Sequence, residues 1–115
     1  MADPTPRASL SEHDFEVAAD RTLRKLEQAL GDVGGVDVDL ESGILTLEFA
    51  DGVKYVINSH RAARQIWMAA ERNAWHFDYL SADDRWKASK SGDELWSLVE
   101  QVLTRKVGEA VSLAR

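Results

Sequence analysis

The sequence predicts an α+β fold, a two-layer α/β sandwich in which two helices pack on one face of a five- to six-stranded antiparallel sheet. Three observations predict it. Apolar residues recur at helical spacing near both ends of the chain, and between those ends the period drops to two. The links between the two-period runs are also too short for the helical crossovers that parallel strands require. At 115 residues the chain can bury most of its apolar surface without disulfides or a structural metal.

Residues 1–10 carry Asp3, Pro4, Pro6 and a single basic residue, Arg7. They read as a short disordered tail that leaves 11–115 as one domain, and they lack the apolar core of a secretion signal and the Arg-rich pattern of an organelle presequence. No stretch approaches the roughly 20 apolar residues of a membrane span. A soluble, cytoplasmic protein is expected.

From Ser11 to Leu30 there is no Gly or Pro, and Phe15, Ala18, Ala19, Thr22, Leu26, Ala29 and Leu30 fall on one face. Ser9 or Ser11 can cap the start and Gly31 the end. Glu12, Glu16, Asp20 and Glu27 form a stripe beside the apolar arc, with Arg21, Arg24 and Lys25 further round the helix. Val36 to Leu40 alternates strictly, so Val36, Val38 and Leu40 face the core while Asp37 and Asp39 face outward. The turn Glu41-Ser42-Gly43 leads to a second strand, Ile44 to Phe49. Asp51-Gly52 is a strong hairpin signal, and strands follow at Val53–Asn58, Gln65–Ala70, Trp75–Tyr79 and around Trp86. A last helix is expected to open at Ser91-Gly92-Asp93-Glu94 as a capping box, to bury Leu95, Trp96, Leu98, Val99, Val102, Leu103 and Val107, and to stop at Gly108.

Charge is unevenly placed. The net charge is -6, yet residues 1–51 hold twelve acidic and four basic side chains, a net of -8, while the remainder is +2. An acidic balance argues against capture of nucleic acid or anionic membrane, which needs cationic side chains to displace counterions. With no cysteine in the chain, thiolate nucleophiles, disulfides and cysteine-held clusters are excluded. There is no phosphate loop, no GxSxG and no HExxH, and His13, His60 and His76 have no ligand-spaced partner. Each reads as an ordinary surface or partly packed histidine.

Two features depart from a bland domain. If the first strand is an edge, the helix stripe, Asp32, Asp37 and Asp39 join into an acidic ridge that could hold hard cations loosely, one or two carboxylates per ion. Four Trp in this length is a high load. Trp96 and Trp86 suit the core, whereas Trp67 and Trp75 lie on strands of a sheet covered on one side only, which leaves the burial of Trp67 open. An exposed Trp flanked by amides suits a protein interface.

The string Asn58, Gln65-Ile66-Trp67-Met68-Ala69, Trp75-His76-Phe77-Asp78-Tyr79, Trp86 and Ser91-Gly92-Asp93-Glu94-Leu95-Trp96 resembles the frataxin family in its bacterial form, over about Phe15 to Gly108. The resemblance implies weak, reversible binding of Fe²⁺ and Fe³⁺ on the ridge, here Glu16, Asp20, Glu27, Asp32, Asp37, Asp39 and Glu41. It implies docking on the cysteine desulfurase and scaffold machinery of iron–sulfur cluster assembly, with Asn58, Gln65 and Trp67 as the contact surface. It further implies a monomer that iron can drive to assemble, and a regulatory adaptor rather than an enzyme, with ferroxidase activity as the alternative and a pure interaction module as a third reading. Two departures stand out. Gln28, Gly31, Gly34 and Gly35 thin the acidic run seen in bacterial relatives, and the turn Ser59 to Ala63 lacks their usual Pro.

Overall fold

Ser11 opens the first helix in the computed structural model, which describes residues 10–114: its hydroxyl accepts from the Asp14 amide at 3.0 Å. Helix α1 spans Glu12–Leu30 and buries Phe15, Ala18, Ala19, Thr22, Leu23, Leu26 and Leu30. This is the apolar arc of the sequence with Leu23 added and Ala29 only partly covered. Of the expected tail, residues 1–10, residues 1–9 lie outside the described residues, and Leu10 instead packs partly against the core.

Six strands follow: β1 Val36–Glu41, β2 Ile44–Phe49, β3 Lys54–His60, β4 Gln65–Ala70, β5 Asn73–Leu80 and β6 Arg85–Ala88. They pair in chain order, all antiparallel, so β1 and β6 are the two edges. Ser42 and Gly43 form the two-residue β1–β2 turn, both with positive φ (52° and 77°). A Cβ at Gly43 would come within 2.7 Å of the Ser59 hydroxyl, so turn geometry and close approach both demand glycine there. The hairpin signal at Asp51-Gly52 holds: Gly52 donates to the Phe49 carbonyl and Phe49 to that of Val53, each at 2.9 Å.

Helix α2, Leu95–Val107, starts later than the sequence suggests. The expected capping box at Ser91 does not form. Residues 88–94 instead close the β6 edge: the Ala88 amide donates to the Asp93 carbonyl at 2.8 Å, and Lys87 bridges to Glu94. Glu94 therefore becomes the N-cap, its carboxylate accepting from the Trp96 and Ser97 amides at 2.9 and 3.2 Å. A carboxylate suits that place because the first helical amides carry partial positive charge. Gly108, with φ 79°, ends the helix as expected.

Both helices cover the same face of the sheet. Leu45, Leu47, Ile57, Ile66, Met68, Phe77 and Trp86 point into this layer and are essentially inaccessible. In β1 the pattern weakens, since Val36, Val38 and Leu40 are only half-buried. The opposite face of the sheet has no covering element among the described residues.

Candidate functional site: an acidic edge and an aromatic face

The carboxylates singled out by the sequence fall into two rows. On α1, Glu16 and Asp20 are exposed beside an open cleft of about 650 Å³ lined also by Ser42, Ser59 and His60. Both are already paired. Arg61 Nη1 sits 3.4 Å from Glu16 and 3.5 Å from Glu12, and Arg24 Nε donates to Asp20 at 2.8 Å. Glu27 is half-buried near the end of the helix, and Asp32 is exposed just beyond it.

The second row is Asp37, Asp39 and Glu41 on β1. Alternation turns these side chains to the uncovered face of the sheet, away from the layer that holds Val36, Val38 and Leu40. Glu48 stands directly opposite Asp37 on β2 and extends the acidic strip. Among the described residues Glu27, Asp32, Asp37, Asp39, Glu41 and Glu48 make no ion pair. Nor does any group of three carboxylates or histidines converge into a ligand set among those residues. The geometry offers separate, hydrated oxygens rather than a cage, the arrangement expected to bind a hard cation weakly and exchange it quickly.

Across the same open face the character changes from charge to rings. Trp67 lies flat between two imidazoles, His60 at 3.8 Å and 16° and His76 at 4.1 Å and 14° between ring planes. Its indole N–H donates to Gln65 Oε1 at 2.9 Å, and the Gln65 amide donates to Asp78 at 3.0 Å. His60 Nδ1 accepts from the Ala63 amide at 3.3 Å. Asn58, opposite Trp67 in the register, donates to the Ser59 carbonyl at 3.2 Å. Gln65 and Trp67 thus satisfy one another, and all three expected contact residues are half-buried on one face.

At the far side α1 meets the β5–β6 turn through a closed polar group. Arg21 donates to Asp84 at 2.6 Å and to the Tyr79 hydroxyl at 3.2 Å, and Tyr79 donates to the same Asp84 oxygen at 2.7 Å. The Tyr79 hydrogen bond, with help from Arg21, holds the Asp84 carboxyl below its usual range. Burial is the main reason the Tyr79 phenol is pushed up. Nearby, the fully buried Trp86 donates to Thr22 Oγ1 at 2.9 Å, which itself donates to the Ala18 carbonyl at 2.8 Å.

Residues 8–109 match the family of the frataxin-like domain. The chain belongs to the frataxin family. Among solved structures it is similar to a frataxin from Psychromonas ingrahamii of the CyaY family, 29% identical with a TM-score of 0.83, a match covering 92% of this chain and all of that one. It is also similar to trimeric frataxin from the yeast Saccharomyces cerevisiae. With the full-length N-terminus that match is 30% identical, TM-score 0.57, over 89% of this chain and 80% of the other. In complex with ferrous iron it is 28% identical, TM-score 0.57, over 90% and 88%.

Within this frataxin-family chain, sequence reasoning missed His60, His76 and Asp78 as members of the aromatic face. Strand alternation already turns His76, and with it Asp78, to the face opposite Trp75, Phe77 and Tyr79, but gives no sign that His76 stacks on Trp67. His60 needed the β3–β4 register as well, because it stacks on Trp67 across the hairpin. The pairing of Arg61 with Glu12 and Glu16 joins a turn to a distant helix and has no local signature. No helix among the described residues is long and apolar enough to cross a membrane.

Proposed function

We propose that this protein is an iron-binding adaptor that modulates iron–sulfur cluster assembly: it holds Fe²⁺ or Fe³⁺ weakly at its acidic edge and docks on the cysteine desulfurase and its scaffold machinery. The observation that carries the reading is the row Asp37, Asp39 and Glu41, exposed on an edge strand and without ion pairs among the described residues. A yeast relative in complex with ferrous iron supports the choice of ion. Dispersed carboxylates favour fast exchange over storage, which suits delivery or sensing. The same edge offers negative charge to a basic patch of the desulfurase, where electrostatic complementarity would speed encounter. The adaptor works in the cytoplasm as a monomer, with assembly driven by iron as a further property, and it is not an enzyme.

Anaerobic calorimetry tests the ion and the partner together. The triple variant Asp37→Asn, Asp39→Asn, Glu41→Gln should bind Fe²⁺ at least about fivefold more weakly, because affinity for a hard cation follows the charge of its oxygen ligands. It should also weaken desulfurase binding. Unchanged values for both would remove the edge from the account. Oxygen uptake on adding Fe²⁺ should equal that of buffer alone, and a faster rate would favour ferroxidase activity instead.

A further inference from the structure

Glu12, Glu16 and Asp20 stand four residues apart along α1. That spacing brings neighbouring side chains to one face of a helix, where like charges repel. In this chain each of the three is met by an arginine. Arg61 Nη1 lies 3.5 Å from Glu12 and 3.4 Å from Glu16, Arg64 Nη2 lies 3.9 Å from Glu12, and Arg24 Nε donates to Asp20 at 2.8 Å. The β1 row Asp37, Asp39 and Glu41 has no such counter-ion among the described residues.

Arg24 belongs to the same helix, whereas Arg61 is brought across from the β3–β4 turn, and that turn is fixed without the Arg61 side chain. The Arg61 carbonyl accepts from the Arg64 amide at 3.1 Å and from Arg64 Nη1 at 2.9 Å, and the Ala63 amide donates to His60 Nδ1 at 3.3 Å. The guanidinium is therefore left to serve the helix, and it lines the open cleft together with Glu16 and Asp20. Arg61, Glu12 and Glu16 are all exposed and their ion pairs are long. Such pairs are held by charge in high dielectric, so another cation can compete with them.

We infer that Arg61 is a tethered counter-ion that keeps divalent cations off Glu12 and Glu16 and so confines cation binding to the β1 edge. A guanidinium placed between two carboxylates fills the position that an ion bridging them would take, and its own charge repels that ion. Because it is part of the chain, its local concentration does not fall on dilution. The inference rests on the proposed function in taking β1 as the cation-binding edge. It turns Glu16, which the family resemblance implies as a ligand, into a carboxylate held in reserve, and it makes a basic residue the determinant of which acidic row is open.

The probe is Mn²⁺, a hard paramagnetic divalent ion, titrated into the ¹⁵N-labelled full chain and followed by broadening of the amide signals. In the parent, broadening should reach residues 36–41 first and spare residues 12–16. Arg61→Gln leaves the backbone bonds of the turn in place and should strengthen Mn²⁺ binding at residues 12–16 about twofold to tenfold, the range released by one or two exposed ion pairs. Arg61→Lys keeps the charge and should behave like the parent. Adding Glu12→Gln and Glu16→Gln to Arg61→Gln should abolish the gain. Residues 12–16 broadened as early as 36–41 in the parent, no gain in Arg61→Gln, or a gain that survives loss of both carboxylates would each overturn the assignment. A parent that shows no broadening at 36–41 would refute the proposed function instead, and the gain in Arg61→Gln would still establish Arg61 as the group that shuts the α1 row.

Discussion

At the β6 edge of the sheet Arg21, Tyr79 and Asp84 share one set of hydrogen bonds and Trp86 is sealed onto Thr22, while at the β1 edge Asp37, Asp39 and Glu41 stand in solvent without ion pairs among the described residues. Asp93 and Glu94 pair with the backbone of β6, whereas β1 has no outer neighbour among the described residues. One helix, α1, gives Arg21 and Thr22 to the β6 edge, while its Glu12 and Glu16 pair with Arg61 in the β3–β4 turn and its Asp20 with Arg24. The contrast teaches where this domain keeps its stability and where it leaves binding groups uncommitted. Local order is strongest where buried contacts are dense, and binding surfaces fall where they are sparse. The charges also keep an exposed edge strand from pairing with another chain.

The contrast breaks first at Trp86. Trp86→Ala removes a fully buried ring that meets Phe15 edge-on at 5.9 Å and Tyr79 at 4.8 Å between centroids. It should cost about 3–5 kcal/mol in chemical denaturation, the range for deleting a large core aromatic. Thr22→Val keeps the shape but leaves the Trp86 N–H buried without its acceptor, and should cost about 1–3 kcal/mol. If either variant lost less than the acidic-edge substitutions do, the division between a structural edge and a binding edge would fail.

Acid sharpens the comparison. The folded pKa of Asp84 is lowered by the Tyr79 hydrogen bond and then by Arg21, so its contribution is complete above the ordinary carboxylate range of about 4 and is lost as pH falls through the lower folded value. Glu71, held down by the paired Arg105 bonds at 2.7 Å, and Asp51, held down by Lys106 and the Val53 amide, act in the same direction. Asp84→Asn should therefore be less stable than the parent at neutral pH and converge with it in acid. The gap should not exceed about 1 kcal/mol, because the Asp84 side chain is 55% exposed.

The smallest effect on stability belongs to the β1 edge. Asp37→Asn, Asp39→Asn and Glu41→Gln together should move unfolding by no more than about 0.5 kcal/mol, as exposed substitutions away from caps and buried networks do.

Nearly all of the fold was legible because its signals are local. Strict alternation marked β1, apolar and β-branched runs between turn signals marked the later strands, and the Gly-free run Ser11 to Leu30 marked the first helix. The start of α2 was not, since Ser91 has the right spacing for a capping box but the edge of β6 claims that segment for backbone pairing. Half of the candidate site was also legible. Asp37 and Asp39 could be assigned outward from alternation alone, while the capture of Glu16 by Arg61 depends on a contact between residues 45 positions apart. The His60–Trp67–His76 stack likewise needs three strands in register.

The most direct test of the central claim is an anaerobic Fe²⁺ titration of the backbone amide NMR spectrum. Paramagnetic broadening should appear first in residues 36–41 and near Glu27 and Asp32, and should spare residues 85–88 of β6 and the paired carboxylates Glu12 and Glu16. Broadening centred on β6 or on the start of α1, or a spectrum unchanged at excess iron, would contradict it.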